Sequence, residues 1–330
     1  MYQARVGLAN SYYNLGELEK AIEIWRVLVN ENQSQNIVES SLKGLQISYQ
    51  TLNQIPQFTE FINIAIVRSR KVEFITFLFV FKANFEYDQK NYNASITTIN
   101  QLFADYPEKE ADINLQILLA NNYTWLNKYE EADQIYIKLT QSNQDPLIYF
   151  EWGHIKLAQK DYKAAILRYK RAADNSQNEQ FWLTLLEQQV VYKDNDFNKY
   201  YNLFMNFAGE YHQTLAKLYL IDWLASQQNY DQALGLIEEI MNTSHTLLRA
   251  RANFKRGEIN FLMKNYDEAL TSFMRSRYVF SEFTDIRWQS EFFVAKIYML
   301  QGDKERGRNL FESIRQYLQP EQINEFGKLR

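Results

Sequence analysis

Side chains able to carry chemistry are few in this 330-residue chain. Its 3 histidines, His154, His212 and His245, stand far apart, and none has a second histidine at helical spacing to share a metal ion. Asp194-Asn195-Asp196-Phe197-Asn198 has the look of the start of a calcium loop. Its sixth position is Lys199 instead of glycine, and its twelfth is Met205 instead of an acid. The stretch therefore reads as an inter-helix turn. With 0 cysteines the chain has no thiol nucleophile, no disulfide and no cysteine-ligated zinc. That composition also suits an oxidising compartment. No G-x-S-x-G, Gly-rich phosphate loop or H-E-x-x-H occurs. These residues point away from an enzyme and imply neither a cofactor nor a metal.

Charge does not select a polyanion partner. Residues 246–330 hold 15 Lys/Arg and 11 Asp/Glu, against 21 and 29 in the remainder, but bases and acids are interleaved. A mixed solvated face follows, and nucleic acid is not an expected partner. The most apolar run, Phe74–Phe81, is far shorter than the ~20 residues of a membrane helix, so no membrane insertion is expected. On an all-apolar helix such a run is expected to be buried by its neighbours. Met1 leads straight into a helical pattern at Tyr2, without a signal peptide or polar cap, which reads as a fragment of a longer protein.

The elements that must position any binding groups are clearest in Asn114–Leu139. Leu119, Ala120 and Tyr123 share one helix face, and Ala132, Tyr136 and Leu139 share another, with Asn127-Lys128 as a short turn between them. The small residues Ala120 and Ala132 are what two antiparallel helices need where their backbones approach. The same template can be laid down about nine times. Measured at Ala21, Phe58, Ser95, Ala132, Ala165, Tyr200, Ala233, Ala269 and Gly307, its spacings are 37, 37, 37, 33, 35, 33, 36 and 38 residues. Extensions of up to four residues beyond 34 add about one helical turn. With 46% hydrophobic and 15% aromatic residues, and only 10 Gly and 4 Pro, the composition suits helices and disfavours a β fold.

This pattern resembles the tetratricopeptide repeat, W-x2-L-G-x2-Y…A-x3-F…P over about 34 residues. The first unit fills it with Leu8-Ala9, Tyr12, Gly16, Leu18, Ala21, Trp25 and Leu28. The third departs from it with Glu86 where tyrosine is usual. The resemblance implies an all-α, right-handed α-solenoid (superhelix) of about nine helix hairpins in a single array over 1–330. Its repeats lie near 2–36, 39–72, 76–109, 113–146, 147–179, 181–212, 214–245, 250–283 and 288–320. Repeats two and six lose the small residue from both helices, at Gln46 with Phe58 and at Gln188 with Tyr200, which predicts wider helix pairs there.

In this family the first helix of each repeat lines a concave groove. Carrying that position across gives a row of Asn10, Ile47, Asn84, Asn121, His154, Gln189, Asp222, Glu258 and Lys296. It lies beside an apolar row that includes Val80, Ile117 and Phe150, and one that includes Tyr13, Tyr87 and Tyr192. The expected partner-binding residues are Asn10, Tyr13, Asn84, Tyr87, Asn121, Trp125, Phe150, His154, Gln189 and Tyr192. Asparagine amides both donate and accept, so a ladder of them suits the backbone of an extended segment, and aromatic neighbours supply anchors. The chaperone-binding subclass holds a C-terminal carboxylate with Lys, Arg and Asn. The matching positions here are mostly Val, Ile and Phe, which disfavours that role. The resemblance implies a non-enzymatic scaffold for peptide segments or subunits, in the manner of bacterial envelope and motility scaffolds. A periplasmic or cell-envelope location is expected over a cytoplasmic one. The alternative is a peptide-sensing regulatory protein whose output domain lies outside this chain.

Overall fold

The structure is a computed structural model that describes residues 2–31 and 34–329. Asn32 and Gln33, at the end of the first repeat, and the terminal Met1 and Arg330 lie outside the described residues. Nineteen α-helices and no strand occur among the described residues. The chain divides into two compact units, residues 1–168 and 169–330, with α10 (Tyr162–Asp174) running across the division.

In the first unit the hairpins are α1/α2 (Tyr2–Asn14, Leu18–Glu31), α3/α4 (Gln35–Thr51, Ile55–Arg68), α5/α6 (Val72–Asp88, Tyr92–Asp105) and α7/α8 (Ile113–Trp125, Tyr129–Ser142). α9 (Pro146–Ala158) and the start of α10 complete it. The second unit contains α11/α12 (Glu179–Val191, Phe197–Met205), α13/α14 (Glu210–Ser226, Tyr230–Met241) and α15/α16 (Thr246–Leu262, Tyr266–Tyr278). α17/α18 (Thr284–Leu300, Lys304–Ile314) and α19 (Pro320–Gly327) follow.

One backbone feature marks each hairpin. Nine described residues have positive φ, and each sits in the turn between paired helices: Gly16, Asn53, Lys90, Asn127, Lys160, Lys193, Gln228, Lys264 and Gly302. The next residue's N–H closes the preceding helix, as when Lys128 donates to the Tyr123 carbonyl at 2.8 Å and Asn91 to that of Glu86 at 2.8 Å. A left-handed residue at the end of a helix satisfies carbonyls the helix cannot. Glycine fits this conformation freely, whereas each lysine in it costs ~1 kcal/mol.

These turns correct the frame of the sixth repeat. The inward position of the second helix lies five residues past the turn at Ala21, Ser95, Ala132 and Ala233, but Tyr200 lies seven past Lys193. Two extra residues follow the turn, and α12 shrinks to nine residues. Residues 194–196 form that lengthened turn, and Phe197 and Asn198 open α12. Lys170 Nζ donates to Asp194 at 2.9 Å and to Asp196 at 2.7 Å, and Asp194 Oδ1 also accepts the Asp196 N–H.

The repeats at 39, 76, 214, 250 and 288 begin four residues earlier than the repeat template places them, because α3, α5, α13, α15 and α17 are 17 residues long. In α3 and α15 the added turn buries an apolar side chain, Val38 or Leu248. Pro320, which closes the ninth repeat in the family pattern, instead opens α19, since proline is well placed at the first helical position. Phe326 of α19 stacks on Phe311 at 3.9 Å, so α18 has a neighbour.

The core follows the small-residue logic. Ala120 and Ala132 are fully buried, and Tyr136 stacks on Trp152 at 5.9 Å. Where Ser95 replaces alanine, its hydroxyl donates to the Ala83 carbonyl at 2.8 Å and accepts from buried Asn122 at 3.0 Å. Glu86, in the tyrosine position, accepts from Thr98 at 2.7 Å. A buried polar group held this way costs little. Phe74–Phe81 is buried or half-buried throughout, as its apolar surround requires.

Candidate partner-binding site

The side chains that leave the core on the first-helix side of unit 1 gather at the ends of α5 and α7 and along α9. Tyr87 precedes its turn residue Lys90 by three positions, and Trp125 precedes Asn127 by two, so both rings sit over hairpin ends. Trp125 Nε1 donates to the Tyr87 hydroxyl at 2.9 Å. Tyr92, the first residue of α6, stacks on the indole at 5.7 Å and 4° and meets Tyr87 edge-on at 5.6 Å. Despite these contacts Trp125 remains 61% exposed. A large indole held by a hydrogen bond yet open to water is pre-arranged as an anchor.

α9 brings an acid to this neighbourhood. Glu151 is half-buried between buried Phe150 and Trp152, and among the described residues it has no hydrogen bond or ion pair. Burial pushes its carboxyl above the usual carboxylate range. Burial likewise raises the Tyr136 and Tyr87 hydroxyls, and the Glu151 charge adds to both, so the three groups share one electrostatic environment. The Tyr136 hydroxyl is fully buried without a partner. His154 lies one turn beyond Glu151, edge-on to Phe150 at 4.7 Å, and loss of water lowers its pKa.

The other side of α9 is locked to α8. Asp133 accepts from Trp152 Nε1 at 2.7 Å, Lys156 Nζ at 2.5 Å and Gln159 Nε2 at 3.0 Å. Burial alone would raise its pKa, but the three donors outweigh burial and hold it below the usual range. The Arg168 guanidinium covers the Trp152 ring at 3.7 Å. This cluster fixes the orientation of the helix that carries Glu151.

Of the expected residues, the structure joins Tyr87 to Trp125 and Phe150 to His154. Asn84 is exposed, but its amide donates back to the Val80 carbonyl at 2.8 Å, and Asn121 is half-buried. Asn10 is exposed on α1, and Tyr13 packs against Trp25 at 6.2 Å. Phe150 is a core residue, only 8% exposed. Gln189 is fully buried, and its amide donates to Asp194 at 3.0 Å. The sixth-repeat frame explains this correction. Asn84, Asn121 and His154 lie six residues before their turns, whereas Gln189 lies four before Lys193, in the position of Glu86. The equivalent surface residue is exposed Glu187, and Tyr192 is likewise displaced by two from the position of Tyr87. Tyr92, Tyr136 and Glu151 lay outside the expected set. A single acid within the otherwise apolar start of α9 was the available signal.

Residues 3–33 match the tetratricopeptide repeat family model. The same hairpin and turn occur nine times among the described residues. That first hairpin is a tetratricopeptide repeat, and the hairpins that follow share its form. The fold of the chain is similar to that of a signal transduction ATPase with numerous domains from Pyrococcus horikoshii that carries a tetratricopeptide repeat sensor. That match has 13% identity and a TM-score of 0.55, and covers 91% of this chain and 52% of that one, so this chain spans about half its length. PilF of Pseudomonas aeruginosa is 18% identical with a TM-score of 0.37, covering 69% of this chain and 97% of that one. The C-terminal part of a tetratricopeptide repeat-containing protein from Cytophaga hutchinsonii is 12% identical with a TM-score of 0.42, covering 82% and 94%. A search of curated proteins returns no match. Tetratricopeptide repeat proteins are in general non-enzymatic scaffolds that bind proteins or peptides. No helix among the described residues is long and apolar enough to cross a membrane.

Proposed function

We propose that this tetratricopeptide repeat protein is a non-enzymatic scaffold that holds an extended segment of a protein partner across α5, α7 and α9. The observation that carries this reading is Trp125: a 61% exposed indole, fixed by Tyr87 and Tyr92, on the first-helix side of three consecutive repeats. Asn84 and Asn121 flank it with amide groups for a partner backbone, and His154 extends the same row. Burial of an aromatic anchor together with a few amide bonds is the usual source of affinity in such faces.

Selection of binders from a random dodecapeptide display library with the whole chain tests the reading. Selected peptides should bind the Asn84→Ala/Asn121→Ala variant at least about fivefold more weakly, the loss expected for one or two hydrogen bonds. Undiminished affinity in that variant would remove the amide row from the site.

A second reading is a sensor arm whose output domain lies elsewhere. The likeness to the P. horikoshii protein favours it, because this chain corresponds to about half of a protein described as having a tetratricopeptide repeat sensor. A sensor is expected to change its helix exposure when the selected peptide binds, which hydrogen exchange reads directly. A scaffold leaves exchange unchanged outside α5, α7 and α9.

A further inference from the structure

Unit 2 carries a cavity of its own, an open trough of about 850 Å³ lined by α12, α14 and the last two turns of α13. On α13, Leu220, Trp223 and Leu224 fall at i, i+3 and i+4, so one stripe of that helix faces the trough, and Leu236 of α14 joins it. These four side chains are buried or half-buried and make the floor. The rim is amide. Asn198 and Asn202 stand one turn apart on α12, with Asn229 and Gln232 across from them at the start of α14. All four are exposed, and their side chains make no hydrogen bond among the described residues. Two features leave room between the walls. α12, at nine residues, is the shortest of the hairpin helices, and Gly235 on α14 has nothing within 4 Å of where a Cβ would stand. The rings are fixed in advance, since Phe197 stacks on Tyr201 at 6.0 Å and on Trp223 at 4.9 Å. Glu239, the one charged residue of the lining, is paired with Lys217 at 2.7 Å, so the trough carries no unmatched charge.

We propose that this trough is a second binding site, which takes an uncharged, extended segment of a partner protein with one large apolar side chain seated on the floor. Neutrality of the lining excludes a charged group, because a phosphate, carboxylate or ammonium drawn in would give up water without a counter-charge. The rim amides each donate and accept, as every residue of a peptide backbone does. Burial raises the Tyr201 hydroxyl, with the Glu239 charge adding to it, so that hydroxyl stays protonated and can donate to a segment carbonyl. The floor separates a peptide from a sugar. Leu220, Leu224 and Leu236 are aliphatic, and Trp223 is only 8% exposed, so no ring face lies open for a sugar to stack on. An apolar side chain needs no such face and gains from leaving water. The wall from Gln232 to Glu239 rises about 10 Å, which matches about three extended residues. Every lining residue belongs to unit 2, so the site does not depend on Trp125.

The test uses the whole chain and four probes: acetyl-Ala-X-Ala-amide with X as phenylalanine, glycine or glutamate, and the neutral sugar maltotriose. Binding is read from the Trp223 indole N–H resonance, assigned by its loss in Trp223→Phe. The phenylalanine peptide should bind at least about tenfold more tightly than the glycine peptide, the lower end of what burying a large apolar side chain gives. The glutamate peptide should bind no better than the glycine peptide. Gly235→Leu fills the trough and should abolish binding without lowering the unfolding midpoint, because leucine is the better helix former and meets no neighbour there. Asn198→Ala/Asn202→Ala removes two exposed amides and should weaken the phenylalanine peptide at least about threefold. Trp125→Ala should leave its affinity unchanged. Equal affinities for phenylalanine and glycine, or binding that survives Gly235→Leu, would overturn the site. Glutamate matching phenylalanine would overturn its neutrality, and maltotriose matching it would overturn the assignment to a peptide. Loss of binding in Trp125→Ala would overturn its independence from the unit 1 face. No shift with any probe would overturn the trough and leave that face standing, since the display selection decides it separately.

Discussion

Asp133 on α8 and Glu151 on α9 are both drawn out of water in the same part of unit 1, and they meet opposite fates. Asp133 receives three donors, from Trp152, Lys156 and Gln159, and its carboxyl is held below the usual range. Glu151 receives none among the described residues, and burial pushes its carboxyl up. The difference separates an acid that holds two helices together from an acid left without a counter-charge among the described residues. The fold gains from the first and bears a cost for the second, which is the pattern expected where a surface is kept for recognition.

The largest expected effect is on the paired acid. Asp133→Ala strands Lys156, whose side chain is only 13% exposed, and should cost ~3 kcal/mol of stability in urea denaturation. A loss below ~1 kcal/mol would show that the cluster is ornamental.

The unpaired acid should behave in reverse. Its folded pKa lies above its unfolded value, so the folded state binds protons more readily, and ionisation at neutral pH destabilises the fold. Glu151→Gln should therefore stabilise the chain by ~1 kcal/mol at pH 7, with the gain vanishing below about pH 4, where the carboxyl is protonated in both states. Asp133 has the opposite sign. Its contribution is full above the unfolded value of ~3.9 and is lost as pH falls through the lower folded value, so Asp133→Asn should flatten the acid limb of the stability curve. Denaturation midpoints measured from pH 3 to 7 on the three chains place both signs in one experiment.

The smallest expected effect on stability is at Trp125. Its ring is mostly in water, so Trp125→Ala should move the unfolding free energy by less than about 1 kcal/mol.

The hairpins were legible because each repeat spends small residues and aromatic rings at fixed places, and Ala120 and Ala132 sit where close helix packing demands. The sixth repeat was not, because its two extra residues fall after Lys193 and only the backbone turn shows where the first helix ends. That shift carried Gln189 into the surface row, although it occupies the buried position of Glu86. Pro320 read as a stop because a proline past a helix and a proline opening one look alike in sequence. At the site, Tyr87 and Trp125 were visible as helix-end aromatics on the groove side. Glu151 was not, since the periodicity that reveals a face is silent about whether a charge on it finds a partner. Tyr92 lies on a second helix and joins the cluster only through the hairpin.

The central claim is that Trp125 and its neighbours on α5, α7 and α9 form the recognition face. The affinity of a display-selected peptide for Trp125→Ala, compared with the unaltered chain, tests it most directly. The arrangement predicts at least about a tenfold loss, the effect of removing an aromatic anchor. Affinity that survives the substitution unchanged would contradict it.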